Sequence, residues 1–288
     1  MRESTKDRIF QGVITLILAI IGVIALIPFL TVIARSFSSK AASDMDIINL
    51  WPVGFTFDSW KYILSDMGLW RAFFISLTTT LAGTFLALVV TALMAYPLSK
   101  TNFKLGRPLM LVVIITMIFK APIVPYFLTI KGLGLLNNPL VLILPHILSA
   151  YNLAIMRTFF KQFPVEVEEA AMIDGCGCFQ ILYKIVLPSS KAVLATVGLF
   201  YAVTIWNQFQ TPVMFIQKTE LFPLQLKIQQ LINGGSELAN IVAASNVNYT
   251  ESTLSAATVV FAILPIIAIY PWLLKYFAKG AMLGSVKG

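Results

Sequence analysis

Side chains able to do covalent or acid–base chemistry are few in this sequence, and they are scattered. His146 is the single histidine and has no acidic neighbour. A catalytic set or a proton relay needs such groups clustered, so a donor that joins helices is the plainer role for it. Cys176 and Cys178 form one Cys-x-Cys. A zinc site would need a second pair, and two small residues in a tight loop explain the spacing. The pattern Gly-x-x-x-x-Gly-Lys-Ser/Thr is absent, so no loop of that kind cradles ATP phosphates. No catalytic residue, metal or cofactor is expected in this chain.

Aromatic and amide side chains make a more suggestive pattern. Tyr201, Thr204, Trp206, Asn207, Gln208 and Gln210 crowd one short stretch, and Tyr151 with Asn152 form a similar pair. Aromatic faces suit the apolar side of a sugar ring, and amides suit its hydroxyls. The same residue types also join helices inside membranes and mark membrane interfaces. Taken singly, each reads as packing. As a group, Tyr151, Asn152, Tyr201, Trp206, Asn207 and Gln208 are candidate substrate-pathway residues.

The elements that must position them are set by composition. The 288 residues are 58% apolar and 12% charged, against roughly 45–50% and about 25% in ordinary soluble chains. Mean hydropathy is +0.84. A soluble globule of this size cannot hide so much apolar surface, so the class is integral membrane protein. Disorder and a disulfide scaffold are excluded. The net charge of +8 does not indicate nucleic acid, because the positives sit in short blocks between apolar runs, as membrane topology uses them.

Six stretches are long enough to cross a bilayer as helices of roughly 20 residues: about 10–34, 72–98, 108–130, 137–157, 192–216 and 253–276. Lipid leaves open backbone groups unsatisfied, so helices are expected; the runs lack the alternation of an outer-membrane barrel. The first stretch is too long for a signal peptide and offers no small-x-small cleavage site, so it reads as a retained helix. Lys120 interrupts the third, between Phe119 and Ala121. A charge there faces a cavity or partner, or snorkels to the surface; the sequence leaves both open.

Lys and Arg set the orientation. Lys100, Lys104 and Arg107 occupy a short connection free of acids, and short basic loops stay inside. Both termini are then cytoplasmic. So is the segment of about 158–190, which carries the only two cysteines, Cys176 and Cys178, as reduced thiols.

That segment is too patterned for a linker. Pro164 suits the start of a helix, and Glu166 and Glu168 follow where the helix dipole favours negative charge. Ala170 and Ala171 allow close approach by a partner. Gly175 suits a helix stop with positive φ. A second short apolar helix ends at Pro188. The expectation is a helix, a glycine turn and a helix on the inner membrane face.

Glu169-Ala170-Ala171, three residues, Gly175, nine residues, then Ile185-x-Leu187-Pro188 resembles the EAA loop of ABC importer permeases, with every spacing intact. The tail from Lys275 to Gly288 looks like that of sugar-uptake permeases of the MalG type. The stretches 149–160 and 35–40 resemble its LplC-like branch, which is associated with complex oligosaccharides. There are departures: Ala192 where a Pro is frequent, Leu182-Tyr183 for Phe-Trp, and Cys176 for Ala. None removes a charged or turn residue of the pattern.

The resemblance implies an all-α membrane protein, with six transmembrane helices in the maltose-type ABC importer permease fold and a cytoplasmic EAA coupling loop. It implies a permease subunit of a bacterial cytoplasmic membrane, importing a carbohydrate by alternating access. The partners would be a homologous second permease in a heterodimer, an ABC ATPase dimer that supplies the hydrolysis, and an extracytoplasmic sugar-binding protein. Glu169, Ala170, Ala171, Asp174, Gly175, Ile185, Leu187 and Pro188 would couple to the ATPase, although Asp174 reads equally as a local cap. The alternative, a secondary active transporter, would use intramembrane acids; all 13 acids lie outside the apolar runs. An exporter would normally carry its own ATPase domain or long intracellular helices, and neither is present.

Overall fold

A computed structural model describes residues 5–119, 121–233 and 249–285; Lys120 and the end of the tail lie outside the described residues. Every regular element among them is helical. In chain order these are α1 (Thr5–Ser36), α2 (Lys40–Asp44), α3 (Asp58–Ser65), α4 (Met67–Ser99), α5 (Gly106–Ile118), α6 (Ile123–Gly132), α7 (Ala150–Lys161), α8 (Val165–Ile173), α9 (Cys178–Ser189), α10 (Lys191–Trp206), α11 (Gln210–Phe215), α12 (Leu224–Asn233) and α13 (Glu251–Ser285).

Phe10–Ser36, Met67–Ser99 and Glu251–Ile269 are each long and apolar enough to cross a membrane. Three bent pairs raise the number to as many as six: α5 with α6, the 3-10 turns of Pro139–His146 with α7, and α9 with α10. The bends have local causes. Pro122 precedes α6 and Pro125 falls in its first turn, where a missing N–H is not needed. Pro139 and Pro145 stand in the 3-10 turns, and the Ser149 hydroxyl then caps α7 by accepting from the Asn152 N–H. The stretch predicted as one helix over 192–216 is two, α10 and α11. The Asn207 backbone and side-chain N–H groups both donate to the Val203 carbonyl, at 3.1 and 2.9 Å, and this local pairing closes α10.

The chain divides into two compact units. One comprises Met1–Trp70 and Ile228–Pro265. There α1 is exposed from Phe10 to Leu30. Arg35 at its end donates to Asp46 and to Ser252, both at 2.9 Å. The Ser59 hydroxyl donates to Thr253 at 3.0 Å, and Phe37 stacks on Trp60.

The other unit comprises Arg71–Lys227 and Ile266–Gly288. Its main core joins Ala87, Ala95, Tyr96 and Leu98 of α4, Leu153, Met156 and Phe160 of α7, Ile181, Leu182 and Val186 of α9, and Val197 and Tyr201 of α10. Small residues let α4 and α10 approach. A Cβ on Gly83 would stand 2.8 Å from the Ile205 Cδ1, and one on Gly198 3.2 Å from the Leu88 Cδ1. Those pairings run in opposite directions, so the helices are antiparallel. A second core joins Ile130, Val141, Leu142, Phe215 and Phe222.

Candidate functional site

The predicted helix–turn–helix is present. Pro164 leads into α8, and Glu166 and Glu168 fall in its first turn, near the positive end of the helix dipole. The helix ends as predicted on Gly175, at φ +83°. The Gly175 N–H donates to the Met172 carbonyl at 3.0 Å and the Cys176 N–H to the Ala171 carbonyl at 2.9 Å. This double closure satisfies the last carbonyls of α8 and needs a left-handed residue at the turn. Asp174 is the C-cap by its backbone, and its side chain is exposed. The Gly177 N–H donates to the Gln180 Oε1 at the start of α9.

The α9 helix carries a π-helical turn at Leu182–Val186. It lies just ahead of Pro188, whose ring and missing N–H disrupt regular bonding to the Lys184 carbonyl.

The eight predicted coupling residues divide by face. Glu169, Ala170, Asp174, Gly175 and Pro188 are exposed, Ala171 is buried, and Ile185 and Leu187 pack half-buried against the main core. The last three hold the segment against its own chain rather than presenting it. The exposed face also has residues that the spacing pattern did not point to: Ile173 is 87% exposed, Phe179 77% and Tyr183 73%. Phe179 and Tyr183 lie four apart in one apolar helix, and that signal was available in the sequence.

Glu168, read in the sequence only for its place in the first turn, is 4% exposed and is the one buried charged residue among the described residues. Its carboxylate pairs with the Lys100 ammonium, just past the end of α4. Lys100 also sits over the Tyr96 ring at 4.5 Å, and Tyr96 meets Phe160 edge to face. The Arg157 Nε donates to the Leu98 carbonyl at 2.8 Å. Two cations thus meet the C-terminal end of α4, where the helix dipole favours them.

The six pathway candidates are not one wall. Tyr201 is 1% exposed; its hydroxyl shares a hydrogen bond with Thr91 Oγ1 at 2.7 Å and accepts from the Ser149 N–H at 2.9 Å. It ties α10 to α4 and to the start of α7. Asn152 and Trp206 are buried, and Trp206 meets Phe73 edge to face. Gln208 is buried and donates to the Leu142 carbonyl at 3.1 Å. His146 lies beside Gln208, in keeping with a packing role. Only Asn207 and Tyr151 of the six are exposed, and Tyr151 leans on Phe200. Among the described residues no group of His, Cys, Asp or Glu could hold a metal ion.

Residues 87–282 match the family model described as "Binding-protein-dependent transport system inner membrane component". The chain is 40% identical over 290 residues to "Protein LplC" of Bacillus subtilis (strain 168), covering 100% of this chain and 98% of that one. It is 37% identical over 285 residues to the "Polygalacturonan/rhamnogalacturonan transport system permease protein YtcP" of the same organism, covering 98% and 100%. Among solved structures it is similar to a chain from a bacterial ABC transporter involved in the import of the acidic polysaccharide alginate. The TM-score there is 0.89 at 31% identity, over 96% of this chain and 99% of that one.

Proposed function

This chain belongs to the family of binding-protein-dependent transport system inner membrane components, and from that premise we propose that it is a permease subunit of an ATP-driven importer of oligosaccharides. It forms half of a translocation path, with a homologous permease as the other half. A separate ATPase dimer supplies the energy and an extracytoplasmic binding protein delivers the sugar. The membrane is the bacterial cytoplasmic membrane, with both termini and the 158–190 segment inside. The carbohydrate assignment is supported by the names of the similar proteins, one a polygalacturonan/rhamnogalacturonan transport system permease and another a transporter involved in the import of the acidic polysaccharide alginate.

The observation that carries the coupling reading is the exposed face of α8 and α9. Glu169, Ala170 and Asp174 are exposed, as are Ile173, Phe179 and Tyr183, on either side of a turn fixed by the left-handed Gly175 and anchored by Ala171, Ile185 and Leu187. An acid, a flat alanine and bulky apolar groups on a rigid projection suit a groove of mixed character on the ATPase. The two ATPase subunits close on ATP, carry the two docked loops with them and turn the permease pair outward; hydrolysis resets it. This is rigid-body switching between two packed arrangements.

Reconstitution tests it. Vesicles holding this chain, its partner permease and the ATPase take up oligosaccharide only with ATP and the binding protein present. Glu169→Lys abolishes uptake and stimulated ATP hydrolysis together while the chain stays in the membrane, since removing one member of a charged contact costs about 2–5 kcal/mol. Normal stimulated hydrolysis in that variant sinks the docking role.

A further inference from the structure

We infer that the Glu168–Lys100 pair is the strut through which movement of the 158–190 segment reaches the long helix α4; this rests on the coupling role proposed for that segment. Four observations converge. Glu168 lies next to Glu169 but points the other way: it is 4% exposed, while Glu169 is exposed. Its partner Lys100 belongs to no part of the segment and stands immediately after α4. Lys100 is held in place by the Tyr96 ring at 4.5 Å. Arg157, from α7, grips the same helix end through the Leu98 carbonyl at 2.8 Å.

The physical reading follows from burial. An ionised carboxylate removed from water persists only with a partner and good geometry, so the two ends of this pair resist separation more than apolar neighbours that can slide past one another. Apolar packing between α9 and α7 fixes distance but little direction. A charge pair with a ring against it fixes both. When α8 is displaced by whatever seats against its outer face, Glu168 draws Lys100 with it, and Lys100 ends α4. The Tyr201–Thr91 bond at 2.7 Å then links α4 to α10 further along. Glu168 and Lys100 are positioning residues in this scheme, since neither touches sugar nor ATPase.

The test is a coupling ratio, sugar imported per ATP hydrolysed, in vesicles of the full permease–ATPase complex with the binding protein. Failure of the wild-type complex to import any sugar with ATP overturns the proposed function, not the strut. With a working wild type, Glu168→Gln is expected to co-purify with the ATPase and to hydrolyse ATP, while its coupling ratio falls by about tenfold, less than the loss of one partner of a fully buried charge pair costs, because the Lys100 side chain is 30% exposed. The swap Lys100→Glu with Glu168→Lys should recover a large part of that ratio. If Glu168→Gln does not reach the membrane, Lys100→Met with Glu168→Leu decides, because replacing both charges by apolar groups avoids an unpaired one. That variant should assemble and still couple poorly. A wild-type ratio in Glu168→Gln or in the apolar double variant overturns the strut. So does a loss of assembly in the apolar double variant that accounts for its whole loss of uptake.

Discussion

At the scale of single residues, polar side chains close together in sequence have opposite surroundings. Tyr201 and Asn207 were grouped by their common ability to meet a sugar, but their surroundings separate them. The Tyr201 hydroxyl is enclosed and bonded to Thr91 and the Ser149 N–H. Tyr201→Phe therefore leaves a part-buried N–H and a buried hydroxyl without their partner, at about 1–3 kcal/mol. A lower melting temperature in detergent, with the apparent KM for sugar unchanged, is the expected outcome; a raised KM at unchanged stability would return Tyr201 to the pathway. Asn207 is exposed, and its Oδ1 has no hydrogen bond among the described residues. Asn207→Ala should lower uptake by several-fold while stimulated ATP hydrolysis persists, because an amide lost from a sugar hydroxyl costs about 1 kcal/mol net. Wild-type uptake in Asn207→Ala assigns the sugar contact to the partner permease.

At the scale of elements, close approach is what α4 and α10 depend on. Gly83→Leu places a branched side chain where even a Cβ stands 2.8 Å from Ile205, and overpacking of this kind costs about 1–3 kcal/mol. The variant should unfold at lower temperature and lose uptake, and Ile205→Ala should restore part of both; no recovery would mean that the two helices do not meet there. Much of this level was legible beforehand. The first, second and last predicted spans lie within unbroken helices, and the glycine stop was read from Gly175 because a left-handed turn favours that residue. The middle three stretches read as straight spans by length and hydropathy, which do not register a bend. Their breaks come from Pro122, from Pro139 and Pro145, and from the Asn207 side chain acting on the backbone. Which way each polar residue faces was hidden for a related reason. In a helix apolar on all sides, no amphipathic stripe distinguishes core from pathway, so Gln208 and Asn207 looked alike. Glu168 was read for its place near a helix N-terminus, and its burial depends on Lys100, 68 positions away.

At the scale of the whole molecule, the use made of the segment from 158 to 190 depends on which side of the membrane it occupies. A face bearing Glu169, Ile173, Phe179 and Tyr183 can meet an ATPase only in the cytoplasm, and the proposed orientation, argued from the basic Lys100–Arg107 connection, puts it on that side. Cys178 is exposed and Cys176 half-buried in the turn after α8, and these are the only two cysteines in the sequence. The chain therefore carries its own reporter of sidedness. A membrane-impermeant maleimide added to intact cells expressing the chain without its ATPase should leave both thiols unmodified, and opening the membrane should let Cys178 react first. Cys178→Ala should remove most of the fast signal, with Cys176 contributing the slower remainder. Labelling of Cys178 from outside would place Lys100 and Glu168 on the outer face as well, since the two are paired. The docking face and the strut would then fall together, because neither could meet ATP-driven movement on that side.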